Sequence, residues 1–338
     1  MTVHERVVAA WYEPRPTLAA WLAWPLSVVF GAAARLRRRL YARGVRAVER
    51  MPVPVIVVGN VTAGGSGKTP LVIALAEALR ARGWHPGVVS RGHGGRGGVA
   101  EVAGDSDPAL VGDEPPIVAA AGFPTWVGRK RAEAARALLA AQPSCDVVIC
   151  DDGLQHYALA RDVEIAVVDA ARGLGNGLLM PAGPLREPSS RLDEVDAVVH
   201  LVSGEAPRER DGDGPSTYMT HTPLGWRNVR DLSQSADASR FQGEGVHALA
   251  GIGNPQRFFA MLRAQGLSPV EHAFPDHHAF APRDLDFPGA RAILMTQKDA
   301  VKCASFADER CWYLPIRAVI DPSLVALVEH KIRGSQAA

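Results

Sequence analysis

Lys68 and Thr69 close the run Gly64-Gly65-Ser66-Gly67-Lys68-Thr69, and this order of residue types suits one task, the holding of a polyphosphate. Glycines let backbone N–H groups approach an anion without Cβ clashes, and a helix that starts at the lysine adds the positive end of its dipole. The lysine then reaches the β- and γ-phosphates, and the threonine hydroxyl ligates Mg²⁺. The nucleotide-holding stretch comprises Thr62, Ala63, Gly64, Gly65, Ser66, Gly67, Lys68, Thr69 and Pro70. Thr62 stands where the generic pattern has a glycine, so the glycines at 64, 65 and 67 must supply the flexibility.

A second pair of residues completes the chemistry. Asp151 and Asp152 follow the apolar run Val147 to Cys150. A carboxylate at the carboxyl end of a strand beside a phosphate loop supplies the oxygen that Mg²⁺ needs, and Asp151 takes that place. The two motifs together point to a nucleoside triphosphate. His156, just beyond, is either a group behind the metal site or a structural histidine, and spacing leaves both open. Arg91 and Arg96 lie in a glycine tract, 91–98, where they hold phosphate or are simply solvated. Arg129, Lys130 and Arg131 open a helix, where cations oppose the dipole. An exposed basic turn is the simpler account and an anionic ligand the other.

Three further groups carry functional residue types: Asp113 and Glu114 before two prolines, Asp276 with His277 and His278, and Lys298 with Asp299. For the Asp-His-His cluster a metal role competes with a catalytic or capping one. The four cysteines, Cys145, Cys150, Cys303 and Cys311, form no CxxC pair, which argues for a reduced compartment and against structural zinc. With 37 Lys and Arg against 36 Asp and Glu, the net charge of +1 gives no reason to expect nucleic acid as a partner.

These residues need strands and helices to position them. The β-branched run Val53 to Val58 reads as a buried strand, and Leu71, Leu75 and Leu79 recur on the helix after the glycines. Further strands are expected at Pro86 to Ser90, around Trp126, before Asp151, up to Asp169 and up to Val202. Between the last two runs a long glycine and proline loop, with Arg186 and Glu187 as its charged tip. A polar, turn-rich stretch at 204–218 marks a boundary, and a second α/β segment follows it. There CWYLPI reads as the last strand and SLVALVEHKI as the closing helix. The expected fold is α/β: a P-loop NTPase-type, mostly parallel sheet flanked by helices over 51–203, a smaller C-terminal α/β domain over 204–338, and an N-terminal membrane-associated helical segment over 1–50.

That N-terminal segment is read from Thr17 to Ala34, which carries no charge, contains Trp21 and Trp24, and runs into RLRRRLYARGVRAVER. Basic residues after the apolar run, rather than before it, exclude a cleaved signal. Pro25 and Gly31 weaken a bilayer span. Leu18, Leu22, Leu26, Val29, Ala33, Leu36 and Leu40 recur at helical spacing, which fits a helix lying in the interface with its arginines on anionic phosphates. A helix packed on the domain core is the alternative, and the two coexist if one end packs while the other dips into lipid.

Eight stretches in order, NVTAGGSGKTP from Asn60, SRGHGG from Ser90, GDEP from Gly112, DDGLQH from Asp151, MPAGPLREP from Met180, GIGNPQRFF from Gly251, FPDHHAF from Phe274 and TQKDAVK from Thr296, give the chain a resemblance to a known family. It resembles the tetraacyldisaccharide 4′-kinases, the lipid A 4′-kinases of Gram-negative bacteria, over most of its length. The resemblance implies transfer of the ATP γ-phosphoryl, with Mg²⁺, to the 4′-hydroxyl of a tetraacyl glucosamine disaccharide 1-phosphate, by a monomer at the cytoplasmic face of the inner membrane. It also implies a base, Asp113, oriented by His277, with Asp152 as the rival base and Lys68 on the phosphates. Arg91, Arg186, Glu187 and His156 would meet the lipid A precursor. The family often has Tyr where this chain has His93 and Glu where it has Gln297, which leaves Lys298 and Asp299 as the charged residues of the last motif. Two other classes share the phosphate loop: a switch or metallochaperone GTPase, of whose Asn-Lys-x-Asp motif TQKD is a poor echo, and a non-catalytic membrane adaptor.

Overall fold

A computed structural model describes residues 3–13, 15–204 and 216–336. Two helices, α1 (Val3–Trp11) and α2 (Leu18–Ala42), precede β1 (Val55–Gly59) and α3 (Lys68–Arg80). The chain continues through β2 (Pro86–Ser90), β3 (Ala100–Val102), α4 (Pro108–Val111), α5 (Pro115–Ala120), β4 (Thr125–Val127), α6 (Arg131–Ala141) and β5 (Val147–Asp151). Then come β6 (Val163–Asp169), β7 (Ala197–Leu201), β8 (Ser216–Pro223), β9 (Trp226–Asn228), β10 (Ser235–Ala236), β11 (Val246–Ala250), α7 (Pro255–Ala264) and β12 (Val270–Ala273). The last elements are β13 (Ala292–Thr296), α8 (Gln297–Cys303), β14 (Cys311–Leu314), β15 (Ile316–Ile320) and α9 (Pro322–Gln336).

Two sheets organise these elements. The larger has nine strands in the order β15-β8-β7-β6-β1-β5-β2-β4-β3, and β6, β1, β5 and β2 at its centre are parallel. Strands β1, β2 and β5 are buried at every position, which is why they read as unbroken apolar runs: helices cover both faces. On one face Ile56, Val58, Leu71, Leu75, Leu79, Val328 and Ile332 form a core, and on the other Val55, Val57, Leu138, Cys150 and Leu154 do. Each large side chain so buried contributes roughly 1.5–3 kcal/mol. The connections after β1 and β5 leave in opposite directions from this centre, so their carboxyl ends frame a crevice of the kind in which open α/β sheets bind ligands.

The smaller sheet runs β10-β9-β14-β13-β11-β12 and has its own core around Phe241, Phe259, Leu294 and Trp312. Two expectations are corrected here. The last strand is β15 rather than CWYLPI, and it pairs with β8 in the larger sheet, where α9 also packs. A division at residue 203 therefore cuts across the larger sheet, because β8, β15 and α9 return to it. Of the polar stretch at 204–218, residues 205–215 lie outside the described residues.

The α2 helix is continuous through Pro25 and is long and apolar enough to cross a bilayer, yet only 17% of its apolar window is buried. The packed-core alternative therefore accounts for one narrow seam. Ala20, Ser27 and Gly31 face the protein, while Leu18, Leu22, Leu26, Val29 and Leu36 are exposed. The seam is tight. A Cβ on Gly31 would lie 2.5 Å from Leu179, and Ser27 Oγ donates to Leu179 O (2.8 Å) and accepts from Ala182 N (3.0 Å).

Candidate active site

The phosphate loop lies between β1 and α3, and its last glycine is obligatory. Gly67 caps α3 with φ +82°, and a Cβ there would stand 2.7 Å from Leu201. Lys68 is buried, with its Nζ 3.2 Å from Asn60 Oδ1 and 3.4 Å from Asp152 Oδ1. Thr69 Oγ1 donates to Asp151 Oδ2 at 3.4 Å. Across β1 the MPAGPLREP loop pairs with the start of the phosphate loop: Ala63 N donates to Pro184 O (2.7 Å) and Arg186 N to Val61 O (2.7 Å). The same loop carries the seam against α2. Thr62, out of place in the generic pattern, sits in that pairing opposite Leu185.

The two neighbouring aspartates differ in character. Burial, then Glu114, push the Asp151 carboxyl up to about 7. Its Oδ1 is buried without a hydrogen-bond partner among the described residues. A buried carboxylate oxygen with nothing to bind, beside a threonine hydroxyl, fits a hard divalent cation. Burial would also raise Asp152, but Lys68, Arg186 and Arg131 hold it well below the usual carboxylate range. Arg186 Nη1 lies 3.3 Å from Asp152 Oδ1. Such a carboxylate is a weak proton acceptor and a good anchor for cations.

Asp113 is buried just before α5, and its Oδ2 lies 3.0 Å from His277 Nδ1, on the loop after β12 of the smaller sheet. His277 has φ +59°, the left-handed region in which few residues other than glycine rest. His278 turns the other way, its Nε2 3.1 Å from Asp284 Oδ2. The ring of His93 lies 4.6 Å from that of His277. Lys298 reaches into the same cluster, and burial and Lys298, then Lys68, act in opposite senses on Glu114, holding its carboxyl down at about 2. Asp299 is wholly buried and occupied, with Thr296 Oγ1 at 2.6 Å, Lys302 Nζ at 2.7 Å and the amide of Gly251 at 3.1 Å. Thr296 caps α8, its Oγ1 accepting from Asp299 N (3.1 Å), and these contacts hold Asp299 in the first turn of the helix. Among the described residues no three His, Cys, Asp or Glu stand together as a metal site.

Glu187, expected with Arg186 at the charged tip of its loop, is buried: its oxygens take the Tyr157 hydroxyl and Gln155 Nε2 (3.2 Å), and Gln155 also donates to Asn60 O (3.0 Å). His156 Nε2 accepts the amide of Arg131 at 3.3 Å, and burial with Arg131, Arg161, Arg37 and Arg91 brings its imidazole down to about 4. Arg131 is buried and donates to Asp152 O (2.9 Å), while Lys130 pairs with Glu133. Arg91 is exposed at the carboxyl end of β2. Sequence reasoning missed Asn60 and Gln155, whose only signal was their place inside two of the eight stretches. It also missed the tie between the sheets, in which Asp169 accepts from Asn254 Nδ2 (3.2 Å) and pairs with Arg257.

Between the lobes a cavity of about 180 Å³ is floored by residues 65–70 and walled by Ile73, Ile252, Phe258, Met261 and Leu314. Glu114, Lys298 and His221 also line it. The GIGNP turn touches the phosphate loop directly, since a Cβ on Gly253 would lie 2.4 Å from Gly65 N. An apolar slot opening onto a glycine loop with a buried lysine and an unpartnered carboxylate oxygen defines a P-loop nucleotide-binding α/β protein of two lobes.

Comparison with known proteins narrows the class. Residues 19–333 match the family described as tetraacyldisaccharide-1-P 4′-kinase. The tetraacyldisaccharide 4′-kinase of Azoarcus sp. (strain BH72) is 54% identical over 309 residues, covering 89% of this chain and 88% of the relative. That of Chromobacterium violaceum is 50% identical over 322 residues, 93% and 94% of the two chains. The crystal structure of LpxK from Aquifex aeolicus in complex with ATP superposes with a TM-score of 0.76 at 27% identity, covering 93% of this chain and all of the other. The chain belongs to the tetraacyldisaccharide-1-phosphate 4′-kinase family.

Proposed function

We propose that this protein is an ATP-dependent lipid kinase of lipid A biosynthesis, which moves the γ-phosphoryl group of ATP to the 4′-hydroxyl of a tetraacyl glucosamine disaccharide 1-phosphate. The observation that carries the reading is the Asp113–His277 contact of 3.0 Å, one residue away from the wall of a cleft floored by Lys68 and Thr69. The names of the relatives and the ATP held by the Aquifex aeolicus protein support it.

Each residue then has a task. The amides at 64–67 and Lys68 hold the phosphates, and Ile73, Ile252, Phe258 and Met261 receive the base. Thr69 and Asp151 would hold Mg²⁺, which when bound neutralises charge on the phosphate oxygens. A sugar hydroxyl is a weak nucleophile near neutral pH. Asp113 takes its proton, the oxygen bonds to the γ-phosphorus, and the bond from that phosphorus to the β–γ bridging oxygen breaks to release ADP. His277 orients Asp113. Asp152, held ionised by Lys68 and Arg186, steadies those cations instead of acting as the base. Arg91, at the carboxyl end of β2, and Arg186, beside Asp152, meet the anionic head group together with His156 and Glu187.

The exposed leucines of α2, followed by a cluster of arginines, support attachment to the cytoplasmic face of the inner membrane, where the lipid substrate resides. We take the protein to act as a monomer. Incubation with labelled ATP, Mg²⁺ and detergent-solubilised disaccharide 1-phosphate should yield a 4′-phosphorylated lipid. GTP in place of ATP should give little, and lipid-independent hydrolysis alone would overturn the reading.

A further inference from the structure

Lys298 sits at the start of α8 with three acceptors around one ammonium. Its Nζ is 3.1 Å from Glu114 Oε1, 3.4 Å from Asp276 Oδ1 and 3.5 Å from His277 Nε2. An ammonium has three protons and no lone pair, so each acceptor can receive one and the lysine can accept none. A hydrogen bond between the two at 3.5 Å therefore requires His277 Nε2 to present its lone pair to Lys298. In a neutral imidazole the other nitrogen then carries the proton, and that nitrogen, Nδ1, is the one that faces Asp113 Oδ2.

We propose that Lys298 is a positioning residue for the dyad: it fixes His277 as the neutral Nδ1–H tautomer, so that the imidazole donates to Asp113 Oδ2 and leaves Oδ1 to receive the proton of the substrate hydroxyl. The inference rests on the dyad reading above and adds the device that sets its protonation state.

The surroundings show why such a device is needed. His277 is flanked by Asp113 on one side and, at 3.9 Å from Nε2, by Asp276 on the other. Glu114 stands next to the dyad on the same loop, and the His93 ring, itself within the field of Arg91, lies tilted against the imidazole with centroids 4.6 Å apart. A carboxylate facing each nitrogen leaves the ring proton an acceptor on either side. With that proton on Nε2, Nδ1 would turn a lone pair toward Asp113 and could not orient it. The ammonium of Lys298 breaks that arrangement by engaging Asp276 itself and repelling a proton at Nε2. Burial works against the charge on Lys298, but Glu114, Asp276 and Asp113 hold it well above the usual lysine range, so the cation persists wherever the enzyme works.

The test uses the full chain in detergent with ¹⁵N-labelled histidine. Long-range ¹H–¹⁵N spectra of the wild type should give His277 the Nδ1–H pattern, and Lys298→Met should convert it to imidazolium or the Nε2–H form. Turnover by Lys298→Met should fall about tenfold to a hundredfold with KM for ATP changed by less than about threefold, and Lys298→Arg should recover part of the loss. Because Asp276 is what claims Nε2 in the absence of Lys298, the double variant Lys298→Met with Asp276→Asn should regain both the tautomer and part of kcat. An unchanged tautomer in Lys298→Met overturns the proposal. So does a raised KM for ATP at full kcat, which would make Lys298 a nucleotide ligand. The spectra are read without turnover, so a failure of the dyad reading, seen as normal rates in Asp113 or His277 variants, is separable from a failure of this one.

Discussion

His277 Nδ1 lies 3.0 Å from Asp113 Oδ2 although 164 positions separate the two residues in the chain. They come from loops of different sheets, so the dyad exists only while the lobes are seated against each other. Asp113→Asn keeps the volume and removes the proton acceptor. It should lower kcat by about 10²–10⁴-fold, His277→Ala by less, with KM for ATP within about twofold of wild type. Steady-state kinetics at saturating lipid provide the check, and wild-type turnover in either variant would remove the dyad from the account.

The proposed metal role of Asp151 predicts that the folded protein gives up stability to keep that carboxyl buried. Its folded-state pKa of about 7 lies above the ordinary carboxylate value, so the folded protein binds the extra proton. Stability is then greatest below the ordinary value and is lost as pH rises toward about 7. Asp151→Asn should raise Tm in metal-free buffer at about pH 8, by the equivalent of about 1 kcal/mol, and abolish turnover. The advantage should vanish below about pH 4. Melts with a chelator at the two pH values settle it.

His156 and His221 carry the opposite sign. Burial is the largest cause in each, and both are held down at about 4. The unfolded chain therefore binds more protons between about pH 4 and 6.5, and stability falls as pH drops through that window. Asp151 pulls the wild-type curve the other way, so the readable quantity is a difference. Tm of wild type minus Tm of His221→Gln should shrink on acidification, and a flat difference would contradict the burial of His221 beneath Gly67.

Gly253→Ala tests whether the second lobe props the phosphate loop. The new Cβ would stand 2.4 Å from Gly65 N, and backbone cannot swing aside as a flexible side chain does. A forced shift of the loop should raise KM for ATP by roughly tenfold or more and leave KM for the lipid nearly unchanged. Calorimetric ATP binding equal to wild type would show that the loop holds its position without the contact.

The exposed stripe of α2 predicts a vesicle-binding phenotype. Leu22→Glu or Leu26→Glu removes an apolar side chain worth about 1.5–3 kcal/mol in lipid, so flotation with anionic vesicles should show binding weakened by about tenfold or more. Melting temperature should hold, because neither side chain is in the seam.

The phosphate loop, the paired aspartates and the strand-to-helix junctions were legible in the chain because each is a local pattern, complete within a few residues. What escaped was non-local. Glu187 reads as a loop tip until Tyr157 and Gln155, from a different connection, close over its oxygens. The return of β15 to the larger sheet depends on a pairing with β8 that no periodicity announces. His277 and His278 are neighbours of one type, and only the left-handed backbone at His277 decides which of them turns to Asp113. The tie of Asp169 to Asn254 and Arg257 likewise joins residues that nothing in the spacing connects.

The seam of α2 has a further consequence for how the enzyme would be measured. Small residues face inward and leucines outward, and the loop they grip is the one that pairs with Val61 and Ala63 at the phosphate loop. Any amphiphile that coats those leucines collects on the face of α2 turned away from that loop. A lipid substrate sharing that film would arrive in two dimensions instead of from bulk solution, and rates should follow its mole fraction in the film. Diluting the lipid with inert detergent at constant total substrate should slow the reaction, and enlarging the volume around the same micelles should not.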